Sequence, residues 1–237
     1  MSTNRISTGI DGLDELLEGG FIRGRTYLVA GEAGTGKTTF ALQYLYNGAL
    51  RHDEPGVYVT IDERPRHIIE DALAMGWDLE RLMEENMLLV VEITPMFSEA
   101  RRIDAERVVG ELGRLVSEIG ASRLSIDPIA PLVLRGKEPV DPMMAQMIVR
   151  EYIRKLIFSL DELGVTTVAT SEIPTGTNKL SRYGVEEFLA SGVIVLRLRR
   201  INNGFIREIY VRKMRGVAHS MDVHTFTMIR GRGIVIS

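Results

Sequence analysis

Residues 31–38 read G-E-A-G-T-G-K-T and match the pattern G-x-x-x-x-G-K-[ST] at every fixed position. Loops of this kind hold the phosphates of a nucleotide with main-chain N–H groups, and the helix that follows adds the positive end of its dipole. In this chemistry Lys37 binds the β- and γ-phosphates, and the Thr38 hydroxyl ligates Mg²⁺. The pattern therefore predicts a nucleotide site whose contacts come from Gly31, Ala33, Gly34, Thr35, Gly36, Lys37, Thr38 and Thr39.

The segments on either side of this loop decide between a phosphate site and an unrelated glycine-rich turn. Residues 26–30 form a β-branched and apolar run that is typical of a buried strand, and residues 39–50 have the pattern of a helix. A strand before the loop and a helix after it is the context that the phosphate-binding function requires. We therefore expect a nucleotide-binding protein.

A second candidate for the same site is Asp127, which ends the apolar run 123–127. An aspartate at this place holds Mg²⁺, usually through water, opposite the threonine of the phosphate loop. Taken alone, an aspartate at a strand end is more often a cap, but its combination with Lys37 and Thr38 favours the metal role. The sequence thus predicts that Thr38 and Asp127 bind Mg²⁺.

Asp62 and Glu63 follow the predicted strand 57–61. In an open α/β sheet, ligands bind at the carboxyl ends of the strands, so these acids are candidates for catalysis. The alternative is that they cap the helix that begins near Pro65 and carries Ile68 and Leu73. The nearby phosphate loop favours catalysis.

The order of predicted elements indicates the fold class. Strands alternate with helices as far as residue 172, and antiparallel strands follow around the turn Asn202-Asn203-Gly204. This order predicts an α/β fold with a mostly parallel sheet, helices on both faces and a C-terminal antiparallel extension. We find no internal repeat or linker, so residues 1–237 are expected to form a single domain.

Two helices carry more specific expectations. A short helix near the N-terminus has Leu13, Leu16 and Leu17 at helical spacing, with Asp11 as the predicted N-cap. A long helix after residue 142 carries an apolar stripe that begins with three methionines. We expect that stripe to fill the core rather than to bind a cofactor; its first members are Met143, Met144, Met147 and Ile148.

Composition excludes several classes of protein. The 237 residues include no cysteine, so disulfides, thiolate metal sites and cysteine nucleophiles are excluded. No apolar run approaches the roughly 18 residues of a membrane span, and we expect a cytoplasmic protein without a membrane partner. The formal net charge of −3 does not by itself indicate nucleic-acid binding.

Taken together, these residues resemble the RecA-type P-loop ATPases and, among them, the single-domain relatives of the circadian-clock ATPase KaiC. The resemblance covers nearly the whole chain. Its most specific parts are R-Y-G-V-E-E-F at 182–188 and K-M-R-G-V-A-H-S at 213–220. The others are T-G-I-D-G-L-D at 8–14, the phosphate loop, the run at 54–65, G-W-D at 76–78 and S-I-D at 125–127.

The resemblance implies a ring, typically a hexamer, that binds ATP with Mg²⁺ at the boundaries between subunits. In that family the acidic pair matching Asp62 and Glu63 polarises the attacking water. The clock protein has Glu-Glu there, so the role stays open between Asp62 and Glu63. Lys213 and Arg215 would reach the γ-phosphate of the neighbour's ATP, with His219 close by, and a cation supplied in trans makes hydrolysis depend on assembly.

The clock protein has two tandem copies, one of which autophosphorylates on a Ser-Thr pair, whereas this chain has one copy that reads Glu186-Glu187-Phe188 at that place. Neither timekeeping nor autophosphorylation is therefore expected. The favoured function is a slow, ring-forming ATPase that signals through an unidentified protein partner.

Two alternatives remain open. One is a recombinase-like ATPase that binds DNA through loops at 134–142 and 173–184, which hold Arg135, Lys137, Lys179 and Arg182. Against it stand Glu138 and Asp141 in the first loop and the scarcity of aromatic residues for base stacking. The other is a scaffold that ATP assembles but that hardly hydrolyses it.

Overall fold

The computed structural model describes residues 4–61, 63–93, 105–129, 141–177 and 179–237. Two short strands pair near the N-terminus, β1 (Arg5–Ile6) and β2 (Phe21–Ile22). The strands of the large sheet are β3 (Thr26–Gly31), β4 (Gly56–Thr60), β5 (Leu88–Glu92), β6 (Arg123–Asp127), β7 (Thr166–Glu172), β8 (Gly192–Ile201), β9 (Gly204–Met214), β10 (His224–Ile229) and β11 (Gly233–Ile236). The helices are α1 (Leu13–Leu16), α2 (Lys37–His52), α3 (Pro65–Ala74), α4 (Leu79–Glu84), α5 (Ala105–Ile119), α6 (Pro142–Glu162) and α7 (Glu186–Leu189).

The large sheet has the strand order β11-β10-β9-β8-β3-β7-β6-β4-β5. The neighbouring strands β8, β3, β7, β6, β4 and β5 are all parallel. At one edge of the sheet, β9, β10 and β11 add antiparallel pairs. The predicted α/β class, with a parallel core and an antiparallel extension, is therefore confirmed. Strand β3, which leads into the phosphate loop, lies between β7 and β8 in the interior of the sheet.

Both faces of the sheet are buried, as a parallel sheet requires. Tyr27 and Val29 of β3 pack on one face with residues of α2, α3 and α4, whereas Leu28 and Ala30 pack on the other face with residues of α5 and α6. The alternation follows from the two-residue period of a strand. Strand β3 is therefore packed between two hydrophobic cores, one on each face of the sheet. Among the described residues, no helix is both long enough and apolar enough to cross a bilayer.

The predicted N-cap of the first helix is wrong. Gly12, not Asp11, occupies the N-cap of α1, with φ 90° and no side-chain cap hydrogen bond. Because the chain enters this helix in the left-handed region, glycine is the residue that fits there. The Asp11 carboxylate instead pairs with Arg51 at 3.3 Å and with Arg232 at 2.7 Å, and so ties the N-terminal segment to α2 and to the turn before β11.

The prediction that the methionine stripe of the long helix fills the core is also wrong. Met143, Met144 and Met147 are 73%, 57% and 66% exposed, and Ile148 is 52% exposed. The buried stripe of α6 begins with Val149 and continues through Ile153, Leu156 and Leu160. These buried residues are spaced four, three and four apart, as one face of a helix requires. Extending the same spacing toward the start of α6 does not lead to Met143, Met144 or Met147.

A buried ion pair ties the amino end of β6 to the rest of the core. The Arg123 side chain is fully buried, and its Nε donates to Glu54 Oε2 at 2.8 Å. One terminal nitrogen donates to the carbonyl oxygens of Ser7 and Tyr44 at 2.9 and 3.0 Å, and the guanidinium lies 4.6 Å from the Tyr44 ring centroid. Burial acts to raise the pKa of Glu54, but Arg23 and Arg123 together hold it below its usual value.

We expect Arg123→Met to lower the free energy of unfolding by about 3 kcal/mol, because removing one partner of a buried pair leaves buried acceptors unpaired. Denaturant titration would measure the change. Arg66→Met is the matched control, since Arg66 is 84% exposed and pairs with Glu70 one helical turn away. The control should leave the unfolding midpoint unchanged. Equal midpoints for Arg123→Met and the wild type would contradict the structural role of Arg123.

Candidate nucleotide-binding site

The phosphate loop joins the end of β3 to the start of α2, and glycine is required at Gly36 by its positive φ and at Gly31 by a close backbone contact. Gly36 is the N-cap of α2 with φ 105°, and a Cβ there would lie 2.1 Å from the terminal methyl of Met228. A Cβ on Gly31 would lie 2.5 Å from Thr35 Oγ1 and 2.7 Å from the Leu196 carbonyl oxygen. Because the helix begins at Lys37, its free N–H groups face the loop, which is the arrangement that binds phosphate.

The Lys37 ammonium is held at this loop. Its Nζ donates to the carbonyl oxygens of Gly31 and Glu32 at 2.9 and 2.8 Å. Burial lowers the pKa of Lys37, and the nearby Asp127 and Glu172 carboxylates oppose that shift. The positive charge predicted to bind the β- and γ-phosphates is thus already in the loop.

The predicted metal ligands are in contact with each other. Thr38 Oγ1 donates to Asp127 Oδ2 at 2.7 Å, and the same oxygen accepts from the Tyr58 hydroxyl at 2.6 Å. The Thr170 hydroxyl donates to Asp127 Oδ1. A hydroxyl and a carboxylate that meet beside a phosphate loop are hard oxygen donors, and Mg²⁺ is bound in proteins by such ligands together with phosphate and water. The donor set therefore fits Mg²⁺.

Of the two candidate catalytic acids, Asp62 lies outside the described residues. Glu63 follows the end of β4, where its N–H donates to Thr60 Oγ1 at 3.1 Å and its carbonyl accepts from the same hydroxyl at 2.7 Å. Burial raises the pKa of Glu63, and the Asp71 and Asp127 charges raise it further. A carboxylate with a raised pKa is a better proton acceptor near neutral pH.

Arg215 lies level with the amino end of β3 and Lys213 with its middle, so neither backbone is at the loop end of the strand. Lys213 pairs with Val193 of β8, which pairs with Leu28 of β3, three residues before Gly31. The Arg215 N–H donates to the Ser191 carbonyl, and the Ser191 N–H donates to the carbonyl of Thr26, the first residue of β3. At about 3.3 Å per residue, the Lys213 backbone lies some 10 Å from the start of the loop along the strand.

The side chains of both cations point toward α7. The Lys213 ammonium donates to the carbonyl oxygens of Glu187, Phe188 and Ala190 at 2.9, 3.1 and 2.7 Å, and Arg215 donates to that of Phe188 at 2.9 Å. Burial, and then the Arg215 charge, lower the pKa of Lys213 to about 8. These contacts hold both cations away from the phosphate loop of their own chain.

His219 lies near α1. Its Nδ1 is 2.8 Å from the Ser220 carbonyl oxygen, and the Ser220 N–H donates to the Leu16 carbonyl at 3.0 Å. The structure therefore brings together Lys37, Thr38, Glu63 and Asp127. It places Lys213 and Arg215 elsewhere on the chain.

The two loops named for DNA binding are described only in part. Arg135 and Lys137 lie outside the described residues. Asp141, which was expected to oppose DNA in the first loop, is the N-cap of α6 and accepts from the Met144 N–H at 3.3 Å. In the second loop, the Arg182 guanidinium pairs with Glu172 at 2.9 Å.

Sequence reasoning did not find Tyr58, Thr170 or Met228 as neighbours of the site. Tyr58 and Met228 occupy ordinary apolar positions of strands, and no spacing in the sequence marks their contacts with Asp127 and Gly36. The sequence does mark the polar end of β7, to which Thr170 belongs, although from the sequence it could equally sense the γ-phosphate or begin the next loop.

A family model described as the KaiC ATPase matches residues 6–237. The circadian clock oscillator protein KaiC of Prochlorococcus marinus subsp. pastoris is 36% identical over 231 residues, which are 96% of this chain and 44% of that protein. KaiC of Thermostichus vulcanus is 35% identical over 233 residues, which are 97% of this chain and 44% of that protein. The chain thus spans less than half the length of these curated relatives.

A solved structure matches the chain from end to end. The crystal structure of a KaiC-like protein from the hyperthermophilic archaeon Pyrococcus horikoshii has a TM-score of 0.85 and 41% sequence identity, and the match covers 99% of each chain. An ATPase domain of this kind implies that the phosphate loop binds a nucleotide. With the family match over 6–237 and this structural agreement, the chain belongs to the KaiC family of ATPases.

Proposed function

We propose that this protein hydrolyses ATP with Mg²⁺ at the boundaries between identical subunits of a ring, where Lys213 and Arg215 of one subunit complete the site of the next. One observation carries the proposal: main-chain carbonyls around α7 hold the side chains of both cations, so neither side chain contacts the phosphate loop of its own chain. A neighbouring copy could present them to these phosphates.

Each described residue of the site has a defined part in this reaction. The main-chain N–H groups of 33–39 hold the phosphates, and Lys37 exchanges its loop carbonyls for phosphate oxygens. Thr38 and Asp127 would hold Mg²⁺, which would neutralise phosphate charge when bound. Glu63 orients the attacking water and accepts its proton, and the neighbour's Lys213 and Arg215 stabilise the charge that develops on the transferred group. By the resemblance, His219 would also lie close to the neighbour's nucleotide.

The proposal has further parts, some of which rest on the resemblance to the clock protein and some on the composition and pattern of the sequence. They are a hexameric ring, slow turnover, a cytoplasmic location, a single domain over 1–237 and an unidentified protein partner that reads the state of the ring. A ligand that binds one state of a protein more tightly shifts the population toward that state. ATP that binds the ring more tightly than the free subunit would shift the protein toward the ring, and a partner could read that change as a signal.

Light scattering after size exclusion, with and without Mg·ATP, tests the ring. The chain has a mass of 26.5 kDa, and we expect Mg·ATP to raise the measured mass to a defined multiple of that value. Phosphate release by the same sample tests hydrolysis. A mass of one chain at saturating nucleotide would refute the ring, and a ring that releases no phosphate would identify the scaffold alternative.

Labelled single-stranded DNA, titrated at two salt concentrations, should show no salt-dependent binding, and such binding would instead support the recombinase-like alternative.

A further inference from the structure

The carboxylate of Asp127 is held from two sides by hydroxyl groups of the neighbouring strands. Strand β6 lies between β4 and β7 in the sheet. Tyr58 of β4 donates to Asp127 Oδ2 at 2.6 Å, and Thr170 of β7 donates to Oδ1. Both donor side chains have 0% exposure. Each oxygen of the carboxylate therefore has a buried donor that belongs to the sheet itself.

Strand register explains why these two residues reach Asp127. Thr60 pairs with Asp127, so Tyr58, two residues earlier on β4, lies diagonally across on the same face of the sheet. A long aromatic side chain can span such a diagonal. On the other side, Ile126 pairs with Ala169, which places Thr170 level with Asp127.

We propose that Tyr58 and Thr170 are positioning residues that fix the Asp127 carboxylate between β4 and β7 and thereby set the affinity of the site for Mg²⁺. The inference rests on the proposed function, because it concerns the metal that accompanies the nucleotide. Groups that hydrogen-bond to a metal-binding carboxylate orient it, and their loss weakens metal binding.

Thr38 donates to the same carboxylate but has a different part. It is the second residue of α2, it belongs to the phosphate loop and it is itself a predicted ligand of Mg²⁺. Tyr58 belongs to the buried core cluster on its face of the sheet.

Two matched controls separate positioning from a general loss of a buried hydrogen bond. Tyr44 is also fully buried, and its hydroxyl donates to the Thr166 carbonyl at 2.9 Å. Thr26 is 1% exposed, and its hydroxyl donates to Asp161 Oδ1 at 2.7 Å. Thr166 and Thr26 are the first residues of β7 and β3, at the amino ends of the strands. Tyr44→Phe and Thr26→Val thus make the same chemical changes away from Asp127.

The experiment measures binding of a fluorescent ATP analogue in EDTA and then along a titration with Mg²⁺. We expect Tyr58→Phe and Thr170→Val each to raise the Mg²⁺ concentration at half-maximal effect about tenfold. Affinity in EDTA should stay at the wild-type value for both. Tyr44→Phe and Thr26→Val should follow the wild type in both conditions. In an Asp127→Asn background, neither Tyr58→Phe nor Thr170→Val should shift the titration further.

The outcomes separate this inference from the proposed function. Wild-type protein that binds no nucleotide at any Mg²⁺ concentration would refute both. If the wild type binds and the two variants titrate like it, the positioning role is wrong. The positioning role is also wrong if the two variants weaken nucleotide binding in EDTA as much as they weaken it with Mg²⁺. In that case Tyr58 and Thr170 would shape the nucleotide pocket itself. Circular dichroism identifies a variant that does not fold, and the other variant then carries the test.

Discussion

Arg215→Ala subunits should lose ATP hydrolysis by about 10³-fold and recover it in part when they are mixed with Lys37→Ala subunits, which are also inactive alone. An Arg215→Ala subunit keeps an intact phosphate loop, and a Lys37→Ala subunit keeps an intact Arg215. Where the two meet in the right order, the boundary between them is complete. In an equal mixture about a quarter of the boundaries have that order, because each boundary pairs the loop side of one copy with the cation side of the next.

Arg215 is a better choice than Lys213 for this test. The Lys213 ammonium donates to three carbonyl oxygens around α7, so its removal would leave these groups unpaired. In addition, burial and the Arg215 charge lower the pKa of Lys213 to about 8. Loss of activity in Arg215→Ala therefore reports on the missing charge more directly.

Arg200→Ala is the control for the loss of one exposed arginine, since Arg200 lies near the β8–β9 turn, opposite Phe205. It should hydrolyse ATP at the wild-type rate. Phosphate release and light scattering are measured on each variant and on the mixture. If Arg215→Ala forms a ring and hydrolyses ATP normally, the role in trans is wrong. If both variants assemble and the mixture stays inactive, the arginine does not act across a boundary.

The parts of the fold that the sequence predicts well are those that local pattern determines. The phosphate loop has fixed glycines, because the Leu196 carbonyl leaves no room for a Cβ at Gly31 and the backbone has a positive φ at Gly36. The sequence predicts two last strands at His224 to Ile229 and Gly233 to Ile236, and β10 and β11 begin and end at those residues, since alternation and turn residues mark them locally. The predicted helix at 39–50 is longer in the structure and begins at Lys37, since the loop leads directly into the helix.

The parts that the sequence does not predict depend on which strands become neighbours. The contact between Tyr58 and Asp127 needs β4 to pair with β6, although β5 and α5 lie between them in the chain. In the same way, the exposure of Met143 and its neighbours depends on which face of α6 meets the core. The placement of Lys213 away from the loop also follows from register rather than from any motif.

The acid at the end of β4 gives the second large effect. Glu63→Gln should reduce hydrolysis by about 10²- to 10⁴-fold while nucleotide binding and assembly persist, because it removes a proton acceptor and keeps the shape of the side chain. In the wild type, the rate should fall as the pH falls through the pKa of Glu63. Burial and the Asp71 and Asp127 charges place that pKa above the usual 4.5, so the decline begins at a higher pH than for an ordinary glutamate.

A substitution at Asp71 tests whether nearby negative charge raises the pKa of Glu63, and whether Glu63 controls the pH dependence of the rate. A like charge nearby disfavours ionisation, so Asp71→Asn should lower the pKa of Glu63 and move the acidic limb of the rate profile to lower pH. Glu70→Gln is the matched control, since Glu70 is the adjacent residue of α3 and pairs with Arg66 at 2.7 Å. An acidic limb that stays in place in Asp71→Asn would show that another group controls it. If Glu63→Gln hydrolyses ATP near the wild-type rate, the general base is not Glu63. The remaining candidate is then Asp62, and Asp62→Asn should lose hydrolysis instead.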